Sequence, residues 1–119
     1  MNIEGFRAYC LGKKGVAEGF PFDETTLVFK VMGKMFALTG LERQPATVNL
    51  KCDPEKAVEL REAFDGIIIP GYHMNKKHWN TVVLDTQLPQ KVLLELVDHS
   101  YDLVVKGLSK KLKEELKGM

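Results

Sequence analysis

Apolar residues recur along this chain with two periods, and the shorter one gives the clearest element. Leu27, Phe29 and Val31 alternate with other residues before Gly33-Lys34, and Phe36 and Leu38 continue the alternation after it. Strict alternation flanking a glycine-led pair predicts a β-hairpin, with strands over 27–32 and 35–40 and a two-residue type II′ turn at Gly33-Lys34. That turn pairs Met32 with Met35, Val31 with Phe36 and Phe29 with Leu38. Leu27, Phe29, Val31, Phe36 and Leu38 then share a core face. The opposite face carries Val28, Lys30, Met32, Met35, Ala37 and Thr39, a mixed set for a free surface.

Three more strands follow from shorter patterns. Residues 47–51 put Val48 and Leu50 inward, 67–69 form a short buried strand stopped by Pro70-Gly71, and 79–85 alternate again. Helical spacing marks the rest. Asn2 caps a first helix with Ile3, Phe6 and Cys10 on one side, ended by Gly12 and Gly15. Asp53-Pro54 is an N-cap followed by proline at the first helical position, and Ala57, Leu60 and Phe64 give that helix its buried stripe up to Gly66. Pro89 opens the longest helix, reaching Lys106, with Leu93, Leu96, Val97, Ser100, Val104 and Leu108 on its inner side. Ser109 caps a last amphipathic turn bearing Leu112 and Leu116. Residues 16–24, interrupted by Pro21, read as an edge segment or loop. The order α-β-β-β-α-β-β-α implies an α+β domain, an antiparallel sheet with helices packed on one face, and its 119 residues fit a single domain.

Composition narrows the function classes. A formal charge of +1 excludes a strongly basic nucleic-acid-coating protein, so any polyanion binding must come from local clustering of Lys and Arg. Cys10 and Cys52 read as free thiols of a reducing compartment. The N-terminus has no signal-peptide pattern, and no apolar run approaches the roughly 20 residues that span a bilayer. A cytoplasmic setting without membrane attachment is expected. Charge is uneven: Asp53, Glu55, Glu59, Glu62 and Asp65 face only Lys56 and Arg61, whereas residues 66–82 carry Lys76 and Lys77 and no acid.

The chemistry concentrates in that acid-free stretch, Pro70-Gly71-Tyr72-His73-Met74-Asn75-Lys76-Lys77-His78-Trp79-Asn80-Thr81-Val82, which holds the only Trp and two of the three His. His73 and His78 are too few ligands for a metal site, and no Cys, Asp or Glu joins them. Asp98-His99-Ser100 has the residue types of a catalytic triad, but successive helical residues point about 100° apart and cannot converge. No phosphate-binding glycine loop occurs, nor paired carboxylates at a strand end, so an enzyme is not expected, and neither a cofactor nor a metal. A nucleic-acid surface fits the residue types better. Lys76 and Lys77, with Lys34 at the hairpin tip and Lys30 on the outer sheet face, can neutralise phosphates, and Lys51 on that face can extend the patch. Asn75 and Asn80 can hydrogen-bond phosphate, sugar or base, and Tyr72, His73 and Trp79 offer rings for stacking. Two other readings stand beside it. The open face around Val28, Met32, Met35 and Ala37 can pair two copies or hold another protein, or the loop can be architectural, with Trp79 a core anchor.

The Pro70–Val82 run resembles the signature of the bacterial MmcQ/YjbR family. Gly33-Lys34-Met35-Phe36-Ala37 and Asp98-His99-Ser100-Tyr101 resemble its hairpin turn and late-helix motif, so the resemblance spans essentially the whole chain. It implies a small stand-alone domain of the same element order, similar to secretion-chaperone-like folds and also grouped with frataxin-like (CyaY-like) folds. It further implies a double-wing DNA-binding role, carried onto His73, Asn75, Lys76, His78 and Trp79; Lys77 falls at a less constrained position of the pattern. The frataxin-like grouping raises iron handling, which needs an acidic ridge of oxygen ligands. The first helix offers only Glu4, and iron is set aside.

Overall fold

In a computed structural model describing residues 1–119, ten elements follow one another. They are α1 (Ile3–Leu11), β1 (Val16–Gly19), β2 (Thr26–Val31), β3 (Lys34–Gly40), β4 (Thr47–Lys51), α2 (Pro54–Ala63), β5 (Ile68–Pro70), β6 (Trp79–Val83), α3 (Gln90–Lys106) and α4 (Lys110–Lys117). The strands form one antiparallel sheet in the order β1-β2-β3-β4-β6-β5. All four helices contribute to the core on one face, giving the expected two-layer α+β arrangement. Residues 16–19, read as an edge segment or loop, are a paired edge strand, and the last amphipathic turn is a helix. The short strand β5 is the other edge of the sheet and buries only Ile68 fully.

The caps fall where the sequence placed them. Asn2, Asp53 and Ser109 accept the N–H groups of Gly5, Lys56 and Leu112, satisfying donors that a helix start leaves open. The main core joins Phe6 and Cys10 of α1, Phe29, Val31, Val48 and Val82 of the sheet, and Val97 of α3, with the Phe6 and Phe29 rings edge to face at 5.8 Å. Both cysteines are free and buried. Burial pushes the Cys10 thiol up to about 12 and also raises Cys52, so neither is an activated nucleophile.

The hairpin register differs from the expected one. Its turn is Met32-Gly33, not Gly33-Lys34; both residues have positive φ (50° and 83°), as type I′ requires, and Val31 pairs with Lys34. A β-bulge follows: Lys30 pairs with Met35 but Phe29 with Ala37, leaving Phe36 extra. Because side chains alternate, that one residue exchanges faces. Phe36 and Ala37 both enter the main core, and Leu38 turns to the opposite face of the sheet.

Candidate nucleic-acid interface

Strand register sorts the chain's connections onto two ends of the sheet. β4 pairs Lys51 with Trp79, and the hairpin tip beside it brings Lys34 to the same end. Residues 12–15, 32–33, 52–53 and 71–78 therefore connect elements at that end, with Lys14, Lys34, Lys51, Lys76 and Lys77 in or beside them. Lys13 is there too, but is held by Asp98 at 2.5 Å. The acid within those connections is Asp53, which caps α2. The connections 20–25, 41–46, 64–67 and 84–89 lie at the opposite end and hold Asp23, Glu24, Glu42, Asp65 and Asp85 against Arg43 alone. Near-neutral composition thus hides a polar distribution of charge. Lys34, Lys76 and Lys77 are exposed, Lys30 and Lys51 are half-buried, and none of the five pairs with a carboxylate. Helix α4 adds to this end, since its Leu116 lies over Gly15 beside Met32.

The loop from Gly71 to His78 combines architecture with exposed chemistry. Trp79 is buried (8 % exposed) against Val28 and Leu38, capped by Met35 and Met74, in a second small core on the outer sheet face. Its ring is not available for stacking, the role its residue type suggested, and its burial leaves no exposed ring for the DNA contact the family resemblance implied. Gly71 must be glycine here, because a Cβ would meet Trp79 Cβ and O at 2.9 Å. Asn75 Oδ1 accepts the Lys77 N–H, and its carbonyl accepts the N–H groups of His78 and Trp79, so Asn75 shapes the turn that displays Lys76 and Lys77. Lys76 Nζ reaches the Gly71 carbonyl at 3.5 Å. His73 is exposed, with φ 59° and its ring 4.1 Å from that of Tyr72. His78 is half-buried.

Asn80 is not a contact residue. It lies on the helix side, 3 % exposed, accepting from Arg61 Nε at 2.7 Å and donating to the Ala57 carbonyl. Arg61 also bonds the Lys76 and Trp79 carbonyls, tying the basic loop to α2. The sequence held the signal: alternation in 79–83 puts Asn80 on the face of Val82, and a buried amide demands a partner. The outer face is likewise not the open one expected. Val28 is sealed under Trp79, Ala37 lies in the main core and Met32 packs on the helix side, leaving Met35 half-exposed.

Asp98-His99-Ser100-Tyr101 braces α3 on all sides. The Asp98 carboxylate accepts from Tyr9 Oη at 2.7 Å; burial pushes its carboxyl up, but the Lys13 and Tyr9 bonds more than offset that and hold it below the usual range. Tyr101 donates to the Lys14 carbonyl and meets Phe36 edge to face. Ser100 bridges β3 and β4, donating to the Phe36 carbonyl (2.5 Å) and accepting the Lys51 N–H (2.9 Å). His99 Nε2 accepts the Asp53 N–H at 3.2 Å, which requires a neutral ring.

Burial, then Lys56, lowers the His99 pKa below its ordinary 6.5, while Asp53 and Asp102 pull the other way. The unfolded chain therefore takes up the proton first, and the stability tied to neutral His99 is present above about pH 6.5 and lost as pH falls below it. Urea denaturation at pH 7.5 and 5.5 should show that loss, and His99→Gln, which keeps an acceptor without titrating, should reduce it. An undiminished pH dependence in His99→Gln places the effect elsewhere.

The chain has close relatives. The family model described as YjbR matches residues 11–103. The uncharacterized protein YjbR of Escherichia coli K12 is 38 % identical over 106 residues, 88 % of each chain. The uncharacterized protein YbdF of Escherichia coli O157:H7 is 40 % identical over 92 residues, 77 % of this chain and 75 % of that one. The crystal structure of Deinococcus radiodurans protein DR2400 superposes with a TM-score of 0.90 at 45 % identity, over 98 % of this chain and 88 % of the other. A crystal structure from Pseudomonas syringae gives 0.73 at 30 % identity, over 87 % and 98 %.

Proposed function

This chain belongs to the YjbR family, and from its charge distribution we propose that it is a non-enzymatic DNA-binding or regulatory domain that holds nucleic acid at the basic end of its sheet. The observation that carries this reading is the segregation of connections: the loop and the hairpin tip emerge together with their ammonium groups free of carboxylates, and the acids lie in the connections at the other end. Lys76, Lys77 and Lys34 contact phosphates, with Lys30 at the outer margin. Asn75 sets the loop's shape and His73 sits at its rim, so these two position the loop on the duplex. Trp79 and Asn80 support it from beneath, and half-buried His78 closes the loop through its backbone bonds to Asn75 and Cys52.

Few phosphate contacts give weak, salt-sensitive binding. Three or four contacts correspond to a slope of log K against log salt of about −3, with each lost contact reducing it by about 0.9. Fluorescence anisotropy with a labelled duplex at two salt concentrations tests this. Lys76→Ala combined with Lys77→Ala should weaken binding and flatten the slope by about 2. Unchanged affinity in that variant, or a stable dimer by light scattering whose interface covers Lys30 and Lys34, overturns the reading.

A further inference from the structure

Three connections form the rim of a groove across the outer face of the sheet, with a cavity volume of about 350 Å³. Phe22 comes from the β1–β2 connection, Arg43 from β3–β4, and Tyr72 with His73 from the β5–β6 loop, which folds back over the face; β2, β3 and β4 form the floor. Phe22 (67 %) and Tyr72 (50 %) are among the most exposed apolar or aromatic side chains in the protein. The Arg43 guanidinium lies 4.3 Å from the Tyr72 ring centre and pairs with no carboxylate. Asp23, the acid of the groove, is engaged by the N–H and hydroxyl groups of Thr25 and Thr26, which hold its carboxyl below the usual range.

The floor adds an oriented donor. The Tyr72 N–H donates to Thr81 Oγ1 at 2.9 Å, and the fully buried Thr81 hydroxyl donates to Asn49 Oδ1 at 2.5 Å, its one acceptor in the protein. That chain fixes which end of the Asn49 amide is oxygen and leaves its NH₂ without a partner in the protein. The groove therefore offers the exposed Phe22 ring for a flat face, a planar cation for an anion and an amide NH₂ for a ring acceptor.

We infer that this groove is a nucleotide site, in which a base stacks on Phe22, its edge accepts from Asn49, and its phosphate is held by Arg43 where it lies over Tyr72. The base and phosphate can belong to a free mononucleotide or to one unit of a single strand, and the two sources separate experimentally. The site uses none of the lysines of the basic end, so it stands or falls apart from the duplex reading.

The test is ¹⁵N NMR titration of the full chain with adenosine 5′-monophosphate, adenosine and a single-stranded decamer. Saturable shifts of the Asn49 side-chain NH₂ and Arg43 Nε–H support the site. Binding of the monophosphate about tenfold tighter than adenosine is the expected contribution of a charge-assisted phosphate contact. Saturable shifts of those groups by the decamer alone assign the site to single strands. Arg43→Ala, a surface change, should remove most of the phosphate preference and leave duplex binding intact, whereas Lys76→Ala with Lys77→Ala should leave these shifts in place. Three results overturn the inference: no saturable shift of Asn49 or Arg43 with any of the three ligands, equal affinity for adenosine and its monophosphate, or shifts confined to residues 75–78.

Discussion

Replacing Trp79 by alanine is expected to cost about 3–5 kcal/mol of folding stability, the range for truncating a buried large aromatic side chain. The ring joins Val28 and Leu38 and carries Met35 and Met74 above it, so its removal opens a cavity between the sheet and the loop. Gly71 packs directly against Trp79, and the start of the basic loop loses that contact as well. For a domain of this size the melting temperature should fall by roughly 10 °C or more. Trp79→Phe keeps most of the apolar contact and should cost about 1–2 kcal/mol. Denaturant titration checks both variants. A cost below about 1 kcal/mol for the alanine variant is what an exposed stacking ring gives, and would remove the second core from this account.

The second large effect is expected at Ser100→Ala, at about 2–4 kcal/mol. The bulge at Phe36 displaces β3 from β4, so their register covers only Ala37 with Leu50 and Leu38 with Asn49. Beyond it the Phe36 carbonyl and the Lys51 N–H meet through the Ser100 hydroxyl, which is fully buried. Alanine leaves both groups unmet, at about 1–3 kcal/mol for each buried unsatisfied partner. Hydrogen exchange separates this from generic destabilisation: Lys51 should lose amide protection before its neighbour Leu50 does. Stability within about 0.5 kcal/mol of the parent, with Lys51 protection unchanged, rules out the bridge.

This bridge shows how a motif that resembles chemistry serves assembly. Asp98, His99, Ser100 and Tyr101 point in four directions around α3, as their helical spacing dictates, and each meets a different element. Asp98 meets α1, His99 the α2 cap, Ser100 the sheet and Tyr101 the α1–β1 turn. The spacing excluded a triad but could not name these partners, which lie between 46 and 89 residues away along the chain.

Local chemistry determined most of the elements. Caps at Asn2, Asp53 and Ser109, proline at the start of α2 and the alternation of β2 and β4 act within a few residues, so those elements were legible from the chain alone. Family membership was legible too, in the run from Pro70 to Val82. The hairpin register was not, because a bulge adds one residue without any local mark, and that residue moved Leu38 out of the core and Ala37 into it. The fate of Trp79, Asn80 and Arg61 was also a tertiary decision, since burial depends on which strand and helix arrive alongside. Charge tells the same story most plainly. The sequence determined how many ammonium groups this protein has and where they stand along the chain, but antiparallel pairing decided which of them share an end of the sheet, because each reversal of direction sends alternate connections to opposite sides.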